Sequence, residues 1–294
     1  MLTWPVTAIG WIASIVQQAA ASQKRINEFL DIQPSIQNQA AQASPPLKGA
    51  IHFDNVSFTY PDTGIQALRN ISFQLKPGEK MAILGKTGSG KTTIADLLVR
   101  MYDVTGGEII LDQKNIEQHG LSSLRQQVGY VTQDIFLFSD TIANNVAFSK
   151  VNADRSEIEL FTKYAAVHDD IKGLTQGFDT MVGERGVTLS GGQKQRVSIA
   201  RALIKKPNII ILDDCLSAVD TNTEAQILGY FKQSLQDKTT IIITHRIYSH
   251  LQFDKIIVLE DGEIVEEGTH EELLTNKGFY FDLFEKQKAE EVDI

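Results

Sequence analysis

A glycine-rich run in the first half of the chain combines residue types that bind phosphate. It comprises Gly85, Lys86, Thr87, Gly88, Ser89, Gly90, Lys91 and Thr92, which fit the pattern G-x-x-x-x-G-K-[ST]. Glycines allow the backbone to curl so that its N–H groups point at phosphate oxygens, and the positive end of the following helix faces the same anion. Lys91 is expected to reach the β- and γ-phosphates, and the Thr92 hydroxyl to bind Mg²⁺. With Thr93 beside them, these residues predict a magnesium-dependent nucleoside triphosphate site.

A second candidate feature is a run of four apolar residues that ends in a carboxylate, at positions 209–213. In a protein with a phosphate-binding loop, such a run is typical of the strand whose terminal aspartate holds Mg²⁺. Alone the pattern is weak, because many buried strands end in a polar residue. Paired with the glycine-rich loop, it predicts that Asp213 is a magnesium ligand.

A third feature is a second helix start that suits an anion, at residues 189–193. This segment consists of Leu189, Ser190, Gly191, Gly192 and Gln193. Two glycines and a serine hydroxyl open a helix there, so its N-terminus can face negative charge. One nucleotide cannot easily use both helix ends of one subunit, which suggests that this end caps a nucleotide held by another copy. Here the sequence resembles the ATP-binding cassette (ABC) ATPases, whose signature motif these five residues match, and the resemblance covers residues 49–288.

The resemblance implies roles for further residues, with ATP and Mg²⁺ as the cofactors. Tyr60 is expected to stack on adenine, and Gln133 to contact Mg²⁺ or water and to sense a membrane domain. Asp220 ends the segment 217–220, which in the family crosses the interface between two subunits. His245 corresponds to the switch histidine that contacts the γ-phosphate. Asp214, Gln133, His245 and Lys91 are therefore the candidate catalytic residues.

Asp214 departs from the family pattern, which usually has glutamate after the magnesium-binding aspartate to orient or deprotonate the attacking water. Aspartate is one methylene shorter, so its carboxylate lies about 1–1.5 Å further back. A displacement of about 1 Å can lower a rate on the order of a hundredfold. The site is therefore expected to bind MgATP normally and to hydrolyse it slowly.

The same position bears on the partner. In the family, an aspartate here often marks the degenerate half of a heterodimer, whose intact signature motif completes the partner's active site. Asp214 beside an unaltered segment 189–193 fits that pattern. Two alternatives stay open: a homodimer in which Asp214 is a competent catalytic carboxylate, and a regulatory ATP-binding subunit with little turnover.

The elements around these residues alternate between strands and helices, which predicts an α/β fold. Strands are expected at 51–60, 71–75, 81–84, 108–111, 128–132, 209–213, 239–244, 255–259 and 263–267, and helices at 92–101, 156–167, 193–204 and 221–235. The expected architecture is a P-loop NTPase core with a mixed sheet and an antiparallel β subdomain, an inserted α-helical subdomain at about 134–190, and an N-terminal helical stub. The expected domains are residues 1–30, a linker at 31–48, and an ABC ATPase domain at 49–294.

The first 21 residues are nearly uncharged, and Lys24 and Arg25 follow them. The strongly apolar part ends at Val16, which is shorter than the roughly 20 residues that a membrane span needs. We interpret it as the inner end of a transmembrane helix with a cytoplasmic exit; the alternative is an amphipathic surface helix. Residues 182–186 resemble a motif of exporter-type ABC proteins. The chain is thus expected to lie at the cytoplasmic face of the plasma or inner membrane, with a transmembrane domain of the same polypeptide as its partner.

Composition excludes other classes. The 294 residues carry 28 Lys and Arg against 37 Asp and Glu, a net charge of −9, so nucleic acid is not an expected partner. A DNA-maintenance ABC ATPase would need a long coiled-coil insertion or zinc-binding cysteines, but Cys215 is the only cysteine. A GTPase would need a guanine-reading N-K-x-D sequence, which is absent.

Overall fold

A computed structural model describes residues 3–38, 45–150, 152–183, 189–234, 237–248 and 251–292. The chain divides into two compact units, residues 1–37 and 38–294. In the first unit, helix α1 (Thr3–Leu30) buries none of its side chains. Across the described ranges, no helix combines the length and the apolar character that a membrane crossing requires.

The second unit holds the remaining elements. Its strands are β1 (Ile51–Thr59), β2 (Gln66–Leu75), β3 (Lys80–Gly85), β4 (Gly106–Leu111), β5 (Lys114–Asn115), β6 (Val128–Val131), β7 (Ile209–Asp213), β8 (Thr239–Ile243), β9 (Lys255–Glu260) and β10 (Glu263–Gly268). Its helices are α2 (Lys91–Leu98), α3 (Leu121–Gln127), α4 (Ile142–Ala147), α5 (Arg155–Tyr164), α6 (His168–Lys172), α7 (Gly191–Leu203), α8 (Thr221–Ser234), α9 (His270–Asn276) and α10 (Phe279–Val292), with short 3₁₀ turns at Ile116–Gln118 and Gly177–Asp179.

Four strands form an antiparallel sheet in the order β2-β1-β4-β5. Alternate residues of β1 are buried, as expected for a sheet with one covered face. The pairing of β1 with β2 places Phe53 opposite Phe73, and the two rings stack with centroids 4.4 Å apart. These rings belong to a core that also contains Ile94 and Leu97 of α2.

The other sheet has six strands in the order β10-β9-β3-β8-β7-β6. Neighbouring strands from β9 to β6 are parallel, and β10 is antiparallel to β9. Every residue of β7 and β8 is buried because both faces of this part of the sheet are covered. Ile209 and Ile211 face the core around α2, whereas Ile210 and Leu212 face a second core that contains Val197 of α7. This mixed sheet beside an antiparallel one confirms the predicted α/β class.

The parallel arrangement decides where the candidate site lies. The carboxyl ends of β3, β7 and β8 meet at one edge of the sheet, as parallel neighbours must. The chain leaves β3 into the glycine-rich loop, β7 into Asp214, and β8 into Thr244 and His245. Three segments far apart in sequence are therefore brought together.

Helices occupy the segment between β6 and β7. Helices α4 and α5 pack against α7 around a buried core that includes Val146, Phe161 and Val197. An isolated antiparallel bridge between Thr141 and Met181 is the β pairing recorded in that segment. The helical character of the insertion agrees with the prediction, whereas the domain boundaries drawn from the sequence remain predictions.

Candidate nucleotide site

The glycine-rich loop joins β3 to α2 through backbone conformations that favour glycine. Gly85, Gly88 and Gly90 have φ values of 147°, 84° and 99°. A Cβ on Gly90 would lie 2.5 Å from the carbonyl oxygen of Ala67, so the position has no room for a side chain. The loop therefore curls tightly at the N-terminus of α2, which favours a bound anion.

Lys91 bends back over this loop. Its Nζ donates hydrogen bonds to the carbonyl oxygens of Gly85, at 2.8 Å, and Lys86, at 2.7 Å. Burial lowers the pKa of Lys91, while the charges of Asp213 and Asp214 act in the opposite direction. Within the described ranges the buried Ser89 Oγ has no hydrogen-bond partner. A buried ammonium and an unsatisfied hydroxyl in one curled loop fit a phosphate group.

The Lys86 side chain is bonded to the hairpin between β9 and β10. Its Nζ lies 2.7 Å from Glu260 Oε1, and this carboxylate raises the pKa of Lys86. The next residue, Thr87, lines the cleft described below. The contribution of Lys86 to the loop is thus its backbone, which accepts the bond from Lys91.

Thr92 and Asp213 provide the oxygen atoms that would hold Mg²⁺. Thr92 Oγ1 donates to Asp213 Oδ2 at 2.8 Å, which links the start of α2 to the end of β7. Asp213 is almost fully buried, and burial raises its pKa to about 6 although the bond from Thr92 acts to lower it. Hydroxyl and carboxylate oxygens are the hard ligands that Mg²⁺ prefers, and one or two carboxylates with substrate phosphates are its usual set. The residues present therefore fit this ion.

A cavity of about 550 Å³ surrounds this pair, and it brings together most of the residues predicted from sequence. The predicted residues in its lining are Tyr60, Thr87, Gly88, Gly90, Lys91, Thr92, Thr93, Gln133, Asp213, Asp214 and His245. Asp214 is half-buried and has a left-handed backbone with φ 44°, and its N–H donates to the carbonyl oxygen of Ile243 at 2.9 Å. Partial burial and then the charge of Lys91 lower the pKa of His245, although the charge of Asp214 and a backbone hydrogen bond with Gly85 act to raise it; the net effect favours the neutral imidazole.

Tyr60 follows β1 and is held by three neighbours. Its hydroxyl is 2.9 Å from Thr93 Oγ1, and its ring packs edge-on against Phe58 and Tyr102. Burial raises the pKa of the phenol. A tyrosine ring fixed in this way at a cleft wall is a suitable platform for a planar base.

Sequence reasoning missed part of the cleft lining. The additional residues are Ile65, Gln66, Ala67, Arg69, Asp261 and Gly262. Arg69 N–H donates to the carbonyl oxygen of Gly262 at 2.8 Å, so the start of β2 is tied to the β9–β10 hairpin. The two strands at 255–259 and 263–267 were predicted, but no sequence signal indicated that the turn between them reaches the nucleotide cleft.

The signature residues lie outside this cleft. Ser190 caps α7: its Oγ accepts from Gln193 N–H at 3.2 Å, and its own N–H donates to Gln193 Oε1 at 3.0 Å. Gly191 is exposed at the first position of the helix, and a Cβ on Gly192 would lie 2.7 Å from the carbonyl oxygen of Ala218. The sequence suggested that this helix end faces a nucleotide on another copy, and that role stays a prediction.

Asp220 is also outside the cleft, at the start of α8, where its carboxylate accepts the N–H of Thr223 at 3.0 Å. That bond contributes to a lowered pKa for Asp220. Of the exporter-like segment 182–186, Val182 is buried and Gly183 has φ 109°. Residues 184–186 lie outside the described residues, so this prediction has no structural counterpart here.

Comparison with known proteins identifies the family. Residues 68–217, just over half of the chain, match the family model described as ABC transporter. The chain belongs to the ABC transporter family. The matched segment of this ABC chain contains the glycine-rich loop, the hydrogen-bonded pair Thr92 and Asp213, and the signature residues.

Relatives place the chain among the ABC exporters. It is 44% identical over 290 residues to the multidrug resistance-like ATP-binding protein MdlA of Escherichia coli, covering 99% of this chain and 49% of that protein. It is 42% identical over 280 residues to the ATP-dependent lipid A-core flippase of Photobacterium profundum, covering 95% of this chain and 48% of the flippase. The chain thus spans about half the length of the curated relatives it matches.

A solved structure agrees with this placement. A bacterial Atm1-family ABC exporter with ATP bound superimposes with a TM-score of 0.88 at 38% identity, covering 97% of this chain and 50% of that one. The chain is therefore an ATP-binding domain of the ABC exporter type, and domains of this type are ATPases.

Proposed function

We propose that the chain binds MgATP in the cleft at the ends of β3, β7 and β8, and that ATP-driven pairing with a second such domain powers export by attached membrane helices. The observation that carries the proposal is the hydrogen bond between Thr92 and Asp213, beside Lys91 and within one cleft that also holds Asp214 and His245. These are the groups that phosphoryl transfer to water requires: a phosphate cradle, metal ligands, a base and a polar contact for the γ-phosphate.

In this proposal the chain's residues act mainly by position and charge. Lys91 and the loop N–H groups hold the β- and γ-phosphates in line, and the Tyr60 ring holds the adenine base. Thr92 and Asp213 would hold Mg²⁺, which supplies charge neutralisation at the transferred phosphoryl group. Gln133 orients the attacking water, and Asp214 accepts its proton.

The partner follows from Asp214 and the signature helix. We propose that this chain is one half of a heterodimer whose other half supplies a catalytic glutamate. Support comes from the shorter Asp214 carboxylate beside an intact, well-capped signature helix starting at Ser190. Such a domain would donate its signature end to the partner's nucleotide while hydrolysing its own slowly.

The test compares steady-state MgATPase activity of the chain with that of Asp214→Glu, using Lys91→Ala as the blank. We expect wild-type activity close to the blank and a rise on the order of a hundredfold for Asp214→Glu. Clear wild-type turnover with no gain from glutamate would contradict the degenerate site and favour a homodimer. Nucleotide binding by the wild type that matches Lys91→Ala would contradict the ATP site itself.

Exposed aromatic rings beside Gln133 support a contact with a membrane domain at the cytoplasmic face. Phe136 is 67% exposed and Phe148 is 61% exposed, and Phe148 stacks on Phe138 at 4.2 Å between centroids. The Arg201 guanidinium lies 5.7 Å from the centre of the Phe138 ring. An exposed apolar patch of this kind marks an interaction surface.

The corresponding experiment uses a full-length transporter carrying this domain, in lipid vesicles. Phe148→Ser should abolish the stimulation of ATPase activity by cargo while basal ATPase activity stays unchanged. Stimulation that survives this change would contradict the proposed contact. Because relatives are named for multidrug resistance and for lipid A-core transfer, we propose amphipathic molecules as the cargo class to be screened first.

A further inference from the structure

The signature helix α7 is held from one side by a carboxylate of the helical insertion. Asp170, in α6, accepts a hydrogen bond from Gln193 Nε2 at 3.2 Å through Oδ1. Its Oδ2 accepts from Arg196 NH1 at 2.7 Å. The Asp170 side chain is 36% exposed and that of Arg196 is 12% exposed. One carboxylate therefore joins two residues that lie one turn apart on the signature helix.

The bond to Gln193 fixes which way its amide points. With Nε2 directed to Asp170, Oε1 is free to accept the N–H of Ser190 at 3.0 Å. This leaves Ser190 Oγ to accept the N–H of Gln193 at 3.2 Å and completes the reciprocal cap. Without Asp170, the amide could rotate and the cap would lose one of its two bonds.

The bond to Arg196 fixes the first turn of the helix relative to the insertion. Arg196 also donates through Nε to the carbonyl oxygen of Gly192 at 3.3 Å, and through NH1 to that of Ala166. The guanidinium thus connects three points: the carbonyl of the signature residue Gly192, the connection between α5 and α6 at Ala166, and Asp170. A charged acceptor makes such a bond shorter and stronger than a neutral one.

We propose that Asp170 is a positioning residue for the signature end: it sets the direction in which Ser190 and the first-turn N–H groups of α7 meet a nucleotide held by a second domain. This inference rests on the proposed function, because it requires that the signature end serves a nucleotide in another copy. Asp170 itself touches no residue of the cleft in its own chain that the structure describes.

The experiment uses two populations of the full chain, labelled with donor or acceptor fluorophores at their N-terminal amines. The first population carries Lys91→Ala, so in a mixed pair only the cleft of the second chain binds ATP. The signature helix that faces this ATP then belongs to the first chain. Asp170→Asn is then placed on either population, and energy transfer between them is measured against ATP concentration. Asp169→Asn, a neighbouring charge removal in the same helix, is the matched control.

Asp170→Asn on the first population should weaken ATP-driven association about tenfold, because one acceptor oxygen becomes an amide donor and the charge that strengthens both hydrogen bonds is removed. The same change on the second population, and Asp169→Asn on either, should leave association as it is. Fluorescent-ATP binding by the second population should be the same with and without Asp170→Asn, which shows that the variant folds.

An equal loss from both placements would indicate general destabilisation and overturn the inference, as would no loss from either. A pair with no Asp170 change that fails to associate with ATP would instead overturn the shared site of the proposed function, and the inference with it. The two failures are therefore distinguishable.

Discussion

Replacing Asp213 by asparagine tests whether the buried Asp213 carboxylate destabilises the folded chain when no ligand is bound. Asp213 is 1% exposed, and burial raises its pKa from 3.8 to about 6. Asp214 and Asp96 add repulsion, while Thr92 and Lys91 oppose the shift. The carboxylate is thus ionised at physiological pH in a place that disfavours its charge.

The size and sign of the effect follow from that pKa. A rise of about two units at about 1.4 kcal/mol per unit means that ionised Asp213 costs the folded state about 3 kcal/mol. Because the folded pKa lies above the unfolded one, the folded state binds more protons between about pH 4 and pH 6, and stability falls as pH rises through that window. Asparagine removes the charge and can still accept the Thr92 hydroxyl, so Asp213→Asn should stabilise the ligand-free chain.

The assay is urea unfolding, followed by circular dichroism, without magnesium or nucleotide. At about pH 8, Asp213→Asn should raise the free energy of unfolding by up to about 3 kcal/mol, and at about pH 5 by about half as much. Asp214→Asn removes the same charge from a half-buried position and should give a much smaller gain. With MgATP the order should reverse, because Asp213 then loses its role as a ligand. An Asp213→Asn chain less stable than the wild type at both pH values would refute the reasoning.

Three further experiments test the glycine-rich loop, the buried Arg100–Asp103 ion pair and the buried thiol of Cys215. Gly90→Ala should abolish nucleotide binding in a fluorescent-ATP titration, because the new Cβ would meet the carbonyl of Ala67 at 2.5 Å and φ is 99°; normal affinity would contradict this. Asp103→Asn should lower the free energy of unfolding by about 2–3 kcal/mol in urea, because Arg100 is 1% exposed and donates to that carboxylate at 2.7 Å; a change below about 0.5 kcal/mol would contradict it. Cys215 should resist iodoacetamide in the native chain, since burial raises the pKa of its thiol, and rapid labelling would contradict that burial.

The strands that carry the site could be predicted because their pattern depends on burial alone. An uninterrupted run of β-branched and apolar residues indicates a strand covered on both faces, and β7 and β8 lie at 209–213 and 239–243 as such strands. The ends of helices were harder to predict from the sequence. The helix after the loop was expected to reach residue 101 but ends at Leu98, because Arg100 turns to φ 54° and its guanidinium enters the core.

Contacts made between distant segments could not be predicted. Two of the three neighbours that hold Tyr60 come from other segments, and the sequence gives no register for Thr93 or Tyr102 against it. The same holds for Asp170, whose partner Gln193 lies 23 residues away across an insertion without repeating pattern. Motifs identify the residues that meet the ligand, whereas tertiary packing alone determines which residues hold them in place.

Ser217 joins the segment after β7 to the signature helix α7. Its hydroxyl donates to the carbonyl oxygen of Asp214 at 2.9 Å and accepts from Gln195 Nε2, in α7, at 3.3 Å. Gln195 also accepts the N–H of Ala218 at 3.1 Å, and Gly192 lets the same segment approach the start of the helix. The backbone that carries the candidate base is therefore bonded, through one hydroxyl, to helix α7, whose first residues lie outside the cleft lining. A shift of the Asp214 backbone would change that bond, which couples the position of the candidate base to that of the signature helix.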